Sequence, residues 1–162
     1  MEVTLGNQGI RELKKFFQRK LNTLDTLVEN IELALAEKGF QLLQANAPTH
    51  DIDGNRVGSA SIEKYADGYR VVYSGEDVAY IEFGTGYKGA NDKYPNPTVL
   101  TFWQYDINGH GAKGWYYKSK QDGSIRHSQG GMYPEKPVYK AYTELEQIAT
   151  SVIEGVLDDF FA

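Results

Sequence analysis

Between Gln8 and Ala47 apolar residues return every three or four positions: Ile10, Leu13, Phe17, Leu21, Leu24, Val28, Ile31, Leu35, Leu42 and Leu43. Residues at that spacing line one side of an α-helix, and Lys14, Lys15, Arg19, Glu29 and Glu37 between them are left for water. The other end of the chain repeats the pattern. In "EKPVYKAYTELEQIATSVIEGVLDDFFA", Tyr142, Leu145, Ile148, Val152, Ile153, Val156, Leu157 and Phe160 keep helical spacing. Pro137 suits the first turn, where its missing N–H is not needed. Helical ends of this kind must bury their stripes. Within the first stretch, Asn22-Thr23 offers a break into two helices, with the Thr23 hydroxyl as cap of the second. Gly39 costs about 1 kcal/mol in a helix interior and marks a bend. Pro48 ends the segment.

The middle is β-like and loop-rich. "SASIEKYADGYRVVYSG" predicts a hairpin turning at Asp67-Gly68, and "GWYYKSKQDGSIRHS" a second one turning at Asp122-Gly123. "EDVAYIEFG" fits a short helix or a strand. From Gly84 to about Gly114 Gly, Pro and Asn dominate, interrupted by "TVLTFWQYD", which suits a short helix. A long irregular loop inside a small domain points to function or mobility. The expected fold is α+β: one domain over 1–162, with helices over 8–47, sheet and loops over 57–130, and a long C-terminal helix over 136–160. The helices pack on a small antiparallel β-sheet.

With 162 residues the chain is long enough for an ordinary core. The absence of cysteine removes disulfides, thiolate zinc sites and cysteine nucleophiles together. Seventeen basic against 22 acidic residues leave no basic surplus of the kind that displaces counterions from nucleic acid. The N-terminus lacks the apolar core of a signal peptide, and no stretch approaches the ~20 apolar residues of a membrane span. A soluble protein made inside the cell is expected. Twelve tyrosines, many between Tyr65 and Tyr142, suit either subunit contacts or a small core padded with aromatics.

Several stretches imitate chemical sites. Gly84, Gly86 and Gly89 spell G-x-G-x-x-G, the spacing of a dinucleotide-binding turn. Such a turn needs a buried parallel strand before it and a helix after it. "ANDKYPNP" follows, and its composition argues against that helix, so flexible backbone is the expectation and no cofactor is assigned. "DIDGN" (51–55) hints at a calcium loop, but the twelfth position is Ile62 where a bidentate glutamate is required. His50, His110 and His127 stand far apart in polar stretches, without metal-ligand spacing. No G-x-S-x-G elbow supports a serine triad. Glu82 is the carboxylate of most interest because it sits between Ile81 and Phe83. It fits a raised-pKa acid, a helix cap, or a partner for an arginine across an interface; no second carboxylate is tied to it by spacing, which favours a structural role.

"AYIEFGTG" (79–86) carries a further signal. Ile81, Glu82, Phe83, Gly84, Thr85 and Gly86 resemble a motif of siphophage tail-completion proteins, the head–tail joining or connector proteins of the gp-ten-like family. That family has a second motif entering its last helix, which "GGMYPEKPVYKAY" resembles through Gly131, Pro137, Val138, Tyr139 and Ala141, with Val138 where phenylalanine is frequent. The resemblance implies a small α+β subunit without covalent chemistry or cofactor. It implies assembly with itself into a ring, expected to be six-fold, at the junction of head and tail in the virion. Portal-side connector and tail-tube proteins would be its partners, DNA would slide through without specific binding, and the protein would be made in the host bacterial cytoplasm. Gly84 and Gly86 would then turn the chain out of the Glu82 element into the long loop. Glu82 would fix that turn through backbone N–H groups or bind a basic group of the next subunit. A head-side adaptor and a tail-side terminator both fit. Two other classes stay open: a small hydrolase using Glu82 with a loop histidine such as His110, and a binding module of a mobile element.

Overall fold

The structure, a computed structural model, describes residues 7–49, 57–96, 98, 103–119 and 122–162. Helix α1 (Asn7–Asn46) runs for forty residues without interruption. The expected break at Asn22-Thr23 does not occur. The Thr23 hydroxyl donates to the Arg19 carbonyl four residues back (2.8 Å) and Thr26 does the same to Asn22 (2.9 Å), so both hydroxyls are satisfied inside the helix rather than at a cap. Gly39 does not end or split the helix either. It is buried, and a methyl group there would stand 3.3 Å from Leu145 and 3.5 Å from Val71. The residue is small because three elements converge on it.

After α1 come β1 (Ser59–Tyr65) and β2 (Gly68–Ser74), an antiparallel hairpin in which Tyr65 faces Gly68. The two-residue turn is therefore Ala66-Asp67, one position earlier than the Asp-Gly pair suggested. Gly68, at φ +127°, opens the second strand instead. Helices α2 (Val78–Phe83) and α3 (Gly86–Asn91) follow, then a 3-10 turn at Gly111–Lys113. In the second hairpin, β3 (Trp115–Lys118) with β4 (Ile125–Ser128), Lys118 faces Ile125, so Asp122 and Gly123 lie within the connection, whose centre again falls one position earlier than the Asp-Gly pair suggested. Helix α4 (Pro137–Phe161) closes the chain. Trp103 to Asp106 are not helical, and the rest of the "TVLTFWQYD" island apart from Thr98 lies outside the described residues, as do "DIDGN" and His50.

The fold is α+β, but its layers differ from expectation. The two hairpins do not join into one sheet. Helix α4 packs on α1, not on strands, and the first hairpin packs on another side of α1. The helices run antiparallel: Asn46 meets Glu144 (3.3 Å), Gly39 meets Leu145, and Asn30 and Leu33 lie beside Val156 and Phe160. The α4 stripe packs on the second half of the α1 stripe because two amphipathic helices satisfy their apolar faces more completely together than against a two-stranded ribbon, which is marginal alone. Leu27, Ala36 and Leu43 of α1 and Ala141 of α4 are buried there. Among the described residues no helix is long and apolar enough to cross a membrane.

Candidate functional site

Helix α2 is a turn and a half long and ends at Gly84, whose φ of 74° and ψ of 177° belong to a region that side chains avoid. A Cβ at Gly84 would lie 2.8 Å from the Met132 carbonyl oxygen and 2.8 Å from Pro134. The chain then extends at Thr85, which pairs with Met132 in an isolated antiparallel bridge. The Thr85 amide donates to the Met132 carbonyl (2.9 Å), and the Met132 amide returns to the Thr85 carbonyl (3.1 Å) and hydroxyl (3.1 Å). The Lys88 amide donates to the Gly130 carbonyl of that same segment (2.8 Å), while the Gly86 amide donates to the carbonyl of Tyr105, from another segment (2.5 Å). Gly131, at φ +90°, leaves no space for a side chain: a Cβ would sit 2.1 Å from the Thr85 carbonyl oxygen. The segment 84–88 is thus threaded between two others, and glycine stands wherever backbones cross.

These contacts explain the G-x-G-x-x-G spacing. Helix α3 does start at Gly86, contrary to the expectation drawn from "ANDKYPNP", because Tyr87, Lys88 and the residues up to Asn91 complete it before the first proline. The element before the glycines is helix α2, however, not a strand. The amides of Gly86, Lys88 and Gly89 are engaged with Tyr105, Gly130 and Thr85, so those N–H groups are not available to a pyrophosphate.

Glu82 is 4% exposed, and its two carboxylate oxygens accept the amides of Val138 (2.8 Å) and Tyr139 (3.0 Å). Those amides belong to the first turn of α4, 56 and 57 positions along the chain. The N-cap residue of α4, Lys136, adopts the left-handed conformation (φ 57°, ψ 45°) and offers no side-chain cap. The first turn is nonetheless accounted for: Pro137 has no N–H, Val138 and Tyr139 bond to Glu82, and the Lys140 amide reaches the Lys136 carbonyl (2.9 Å). Just outside it, the Glu135 amide donates to the Ile81 carbonyl (2.8 Å). A buried carboxylate at a helix N-terminus also gains from the helix dipole. Lys136 itself is anchored by an ion pair with Asp92 (2.5 Å).

Aromatic rings wall this crossing. Phe83 lies edge-on to Tyr94 (5.0 Å between centroids) and against Trp103 (5.2 Å), and Tyr94 lies edge-on to Tyr139 (5.5 Å). The Trp103 indole N–H donates to the Gly84 carbonyl (3.1 Å). Burial, and then the nearby Glu82 carboxylate, push the Tyr94 phenol above its ordinary value. Pro137 is fully enclosed, Ala141 and Ile81 are buried, and Val138 is 37% exposed. Every residue singled out in 81–86 and in 131–141 therefore belongs to one contiguous cluster. Tyr94, Trp103 and Met132 belong to it as well. Their partners lie far along the chain, and no local spacing marks them.

His110 lines an open cleft of about 950 Å³ whose wall also includes Ile81, Thr85, Trp103 and Met132 of the crossing. Glu82 is not one of the residues lining it. Asp106 accepts the amides of Gly111 (2.7 Å) and His110 (3.0 Å), and those bonds, Gly111 foremost, hold its carboxyl below the usual value. A depressed carboxyl stabilises the fold above its unfolded value of about 3.9, and that contribution is lost as pH falls through the lower folded value. Urea midpoints should accordingly separate wild type from Asp106→Asn above about pH 5 and converge toward roughly pH 2. His127 bonds the Lys113 carbonyl (2.9 Å) and stacks on Tyr116. Among the described residues no three His, Asp or Glu side chains are placed to hold a metal ion.

Comparison with protein-family models, with curated proteins and with solved structures finds no match to this chain.

Proposed function

We propose that this chain is a structural subunit of a phage head–tail junction, a tail-completion or adaptor protein that works by assembling rather than by catalysis. The observation that supports it is the crossing itself. The two motifs whose sequences resemble head–tail joining proteins, 81–86 and 131–141, are far apart in the chain and close one unit. In it Glu82 caps α4 and Thr85 pairs with Met132. A buried carboxylate with both oxygens committed to backbone amides is a fastener, and it holds the root of the loop that leaves Gly86. In this reading that loop orders against a neighbouring subunit or against connector and tail-tube proteins, and the exposed tyrosines Tyr87, Tyr116, Tyr133 and Tyr142 contribute to those contacts. Head-to-tail contacts between copies close a ring, for which six-fold order is the expectation.

The hydrolase alternative has less to stand on, because the Glu82 carboxylate is bonded to amides of α4 and Glu82 is not among the residues lining the cleft that holds His110. Light scattering over a concentration series, with negative-stain images of each fraction, tests the proposal. Rings with a central hole, alone or on adding neck proteins of the same virion, are expected. A strict monomer under both conditions would rule the reading out.

A further inference from the structure

Among the described residues, no other element covers the apolar side of the first half of α1. Helix α4 ends at Phe161 beside Asn30 and Leu33, and every residue from Ile10 to Thr26 is exposed. The helix therefore projects by about 30 Å, at 1.5 Å per residue, beyond the body that covers its other half. The projecting part keeps the apolar stripe: Ile10, Leu13, Phe17, Leu21, Leu24 and Val28 each show 43–57% of their surface. Phe16 widens it, edge-on to Phe17. Side chains of this size, half-exposed, leave on the order of 500 Å² of contiguous apolar surface, at the upper end of what a monomer normally shows. With its polar flanks the strip approaches the ~800 Å² per partner of a standard stable interface.

We infer that this overhang pairs with the overhang of a second copy, antiparallel, as a two-helix coiled coil. The stripe is its own complement. Reflected about position 19, Ile10 falls on Val28 and Phe17 on Leu21, and Leu13 falls within one residue of Leu24. The repeat of Phe17, Leu21, Leu24, Val28, Ile31 and Leu35 in steps of three and four is the seven-residue pattern that such seams require. Charge selects the direction. The overhang carries Arg11, Lys14, Lys15, Arg19 and Lys20 against Glu12 and Asp25, while the end of α4 carries Glu154, Asp158 and Asp159. A parallel pair would set the basic turns side by side. An antiparallel pair leaves only Arg19 and Lys20 near their own counterparts at the axis and lays Arg11, Lys14 and Lys15 along the other copy's Asp25 and toward the acidic end of its α4, which stands at the base of its overhang. The contact is isologous, the same patch on both copies, and so differs from the head-to-tail contact of a ring. It does not rest on the head–tail reading.

The test uses the full chain and light scattering, with cross-linking through introduced cysteines, which are unique because the chain has none. Wild type should associate. Leu21→Glu, at an exposed site near the twofold axis, should weaken association about 100-fold, and at a concentration where both proteins are monomeric its helix content and unfolding midpoint should match wild type. Mixed Ile10→Cys and Val28→Cys proteins should form the 10–28 disulfide on mild oxidation, and neither alone should dimerise covalently. A wild type that stays monomeric overturns the pairing. So does a Leu21→Glu protein of unchanged mass, or a 10–10 link in place of 10–28. Rings that persist in Leu21→Glu while the 10–28 disulfide fails to form discard the pairing and keep the ring; pairs without rings do the reverse.

Discussion

Gly131→Ala is expected to lower stability by about 4 kcal/mol or more, among the largest losses that a single methyl group can cause. Two costs combine. At φ +90° an L-residue is strained by about 1–2 kcal/mol even in open space. The space is not open: the new carbon would stand 2.1 Å from the Thr85 carbonyl oxygen and 2.6 Å from its carbon, both backbone atoms held in the bridge with Met132. Neither can retreat as a flexible side chain would, so the bridge has to open, and Thr85 and Met132 lose the amide bonds that join the two motifs. For a chain of this size each kcal/mol shifts Tm by roughly 2–4 °C, so a drop on the order of 10 °C is expected by calorimetry. A Gly131→Ala protein that melts with wild type would show that the two segments do not cross as described. Gly130→Ala, with nothing closer than 3.6 Å, is the internal control and should cost only its positive-φ strain.

Glu82→Ala ranks second, at about 3 kcal/mol. It strands the amides of Val138 and Tyr139 at a buried helix start. A buried donor left without a partner costs about 1–3 kcal/mol, and hydrogen bonds to charged groups are at the strong end. Glu82→Gln keeps one carbonyl oxygen but turns an amide group toward the second N–H, so about half of the loss should remain. Urea unfolding reads both, and hydrogen exchange at Val138 and Tyr139 localises the effect: the two amides should exchange faster in each variant. A catalytic carboxylate would behave differently, since Glu82→Gln would then leave stability untouched. Equal stability of Glu82→Gln and wild type would remove the cap from this account, and with it the fastening role on which the structural reading rests.

Much of the fold was legible where the cause is local. The periodicity of Ile10 to Leu43 and of Tyr142 to Phe160 marks α1 and α4 because facing one side of a helix is a property of spacing. Asp122-Gly123 marks its hairpin because few residues tolerate such a turn. Local signals also misled. Thr23 has the chemistry of a cap, but a hydroxyl can bond the carbonyl four residues back, and its sequence cannot say which it does. Glu82 stood out between two apolar neighbours, and capping was among its possible roles. Nothing near it in sequence pointed to Val138 and Tyr139.

Sequence by itself thus marked the two helical ends, the two hairpins between them and the kinds of residue at the crossing, all consequences of spacing within a few turns of chain. Tertiary structure decided which surfaces meet: α4 on α1 rather than on strands, two ladders rather than one sheet, and G-x-G-x-x-G as the passage of one backbone between two others. Those outcomes depend on segments tens of residues apart coming within about 3 Å, hydrogen-bond distance. Close approach leaves a mark in sequence only as a glycine or a lone buried acid, and neither names its partner.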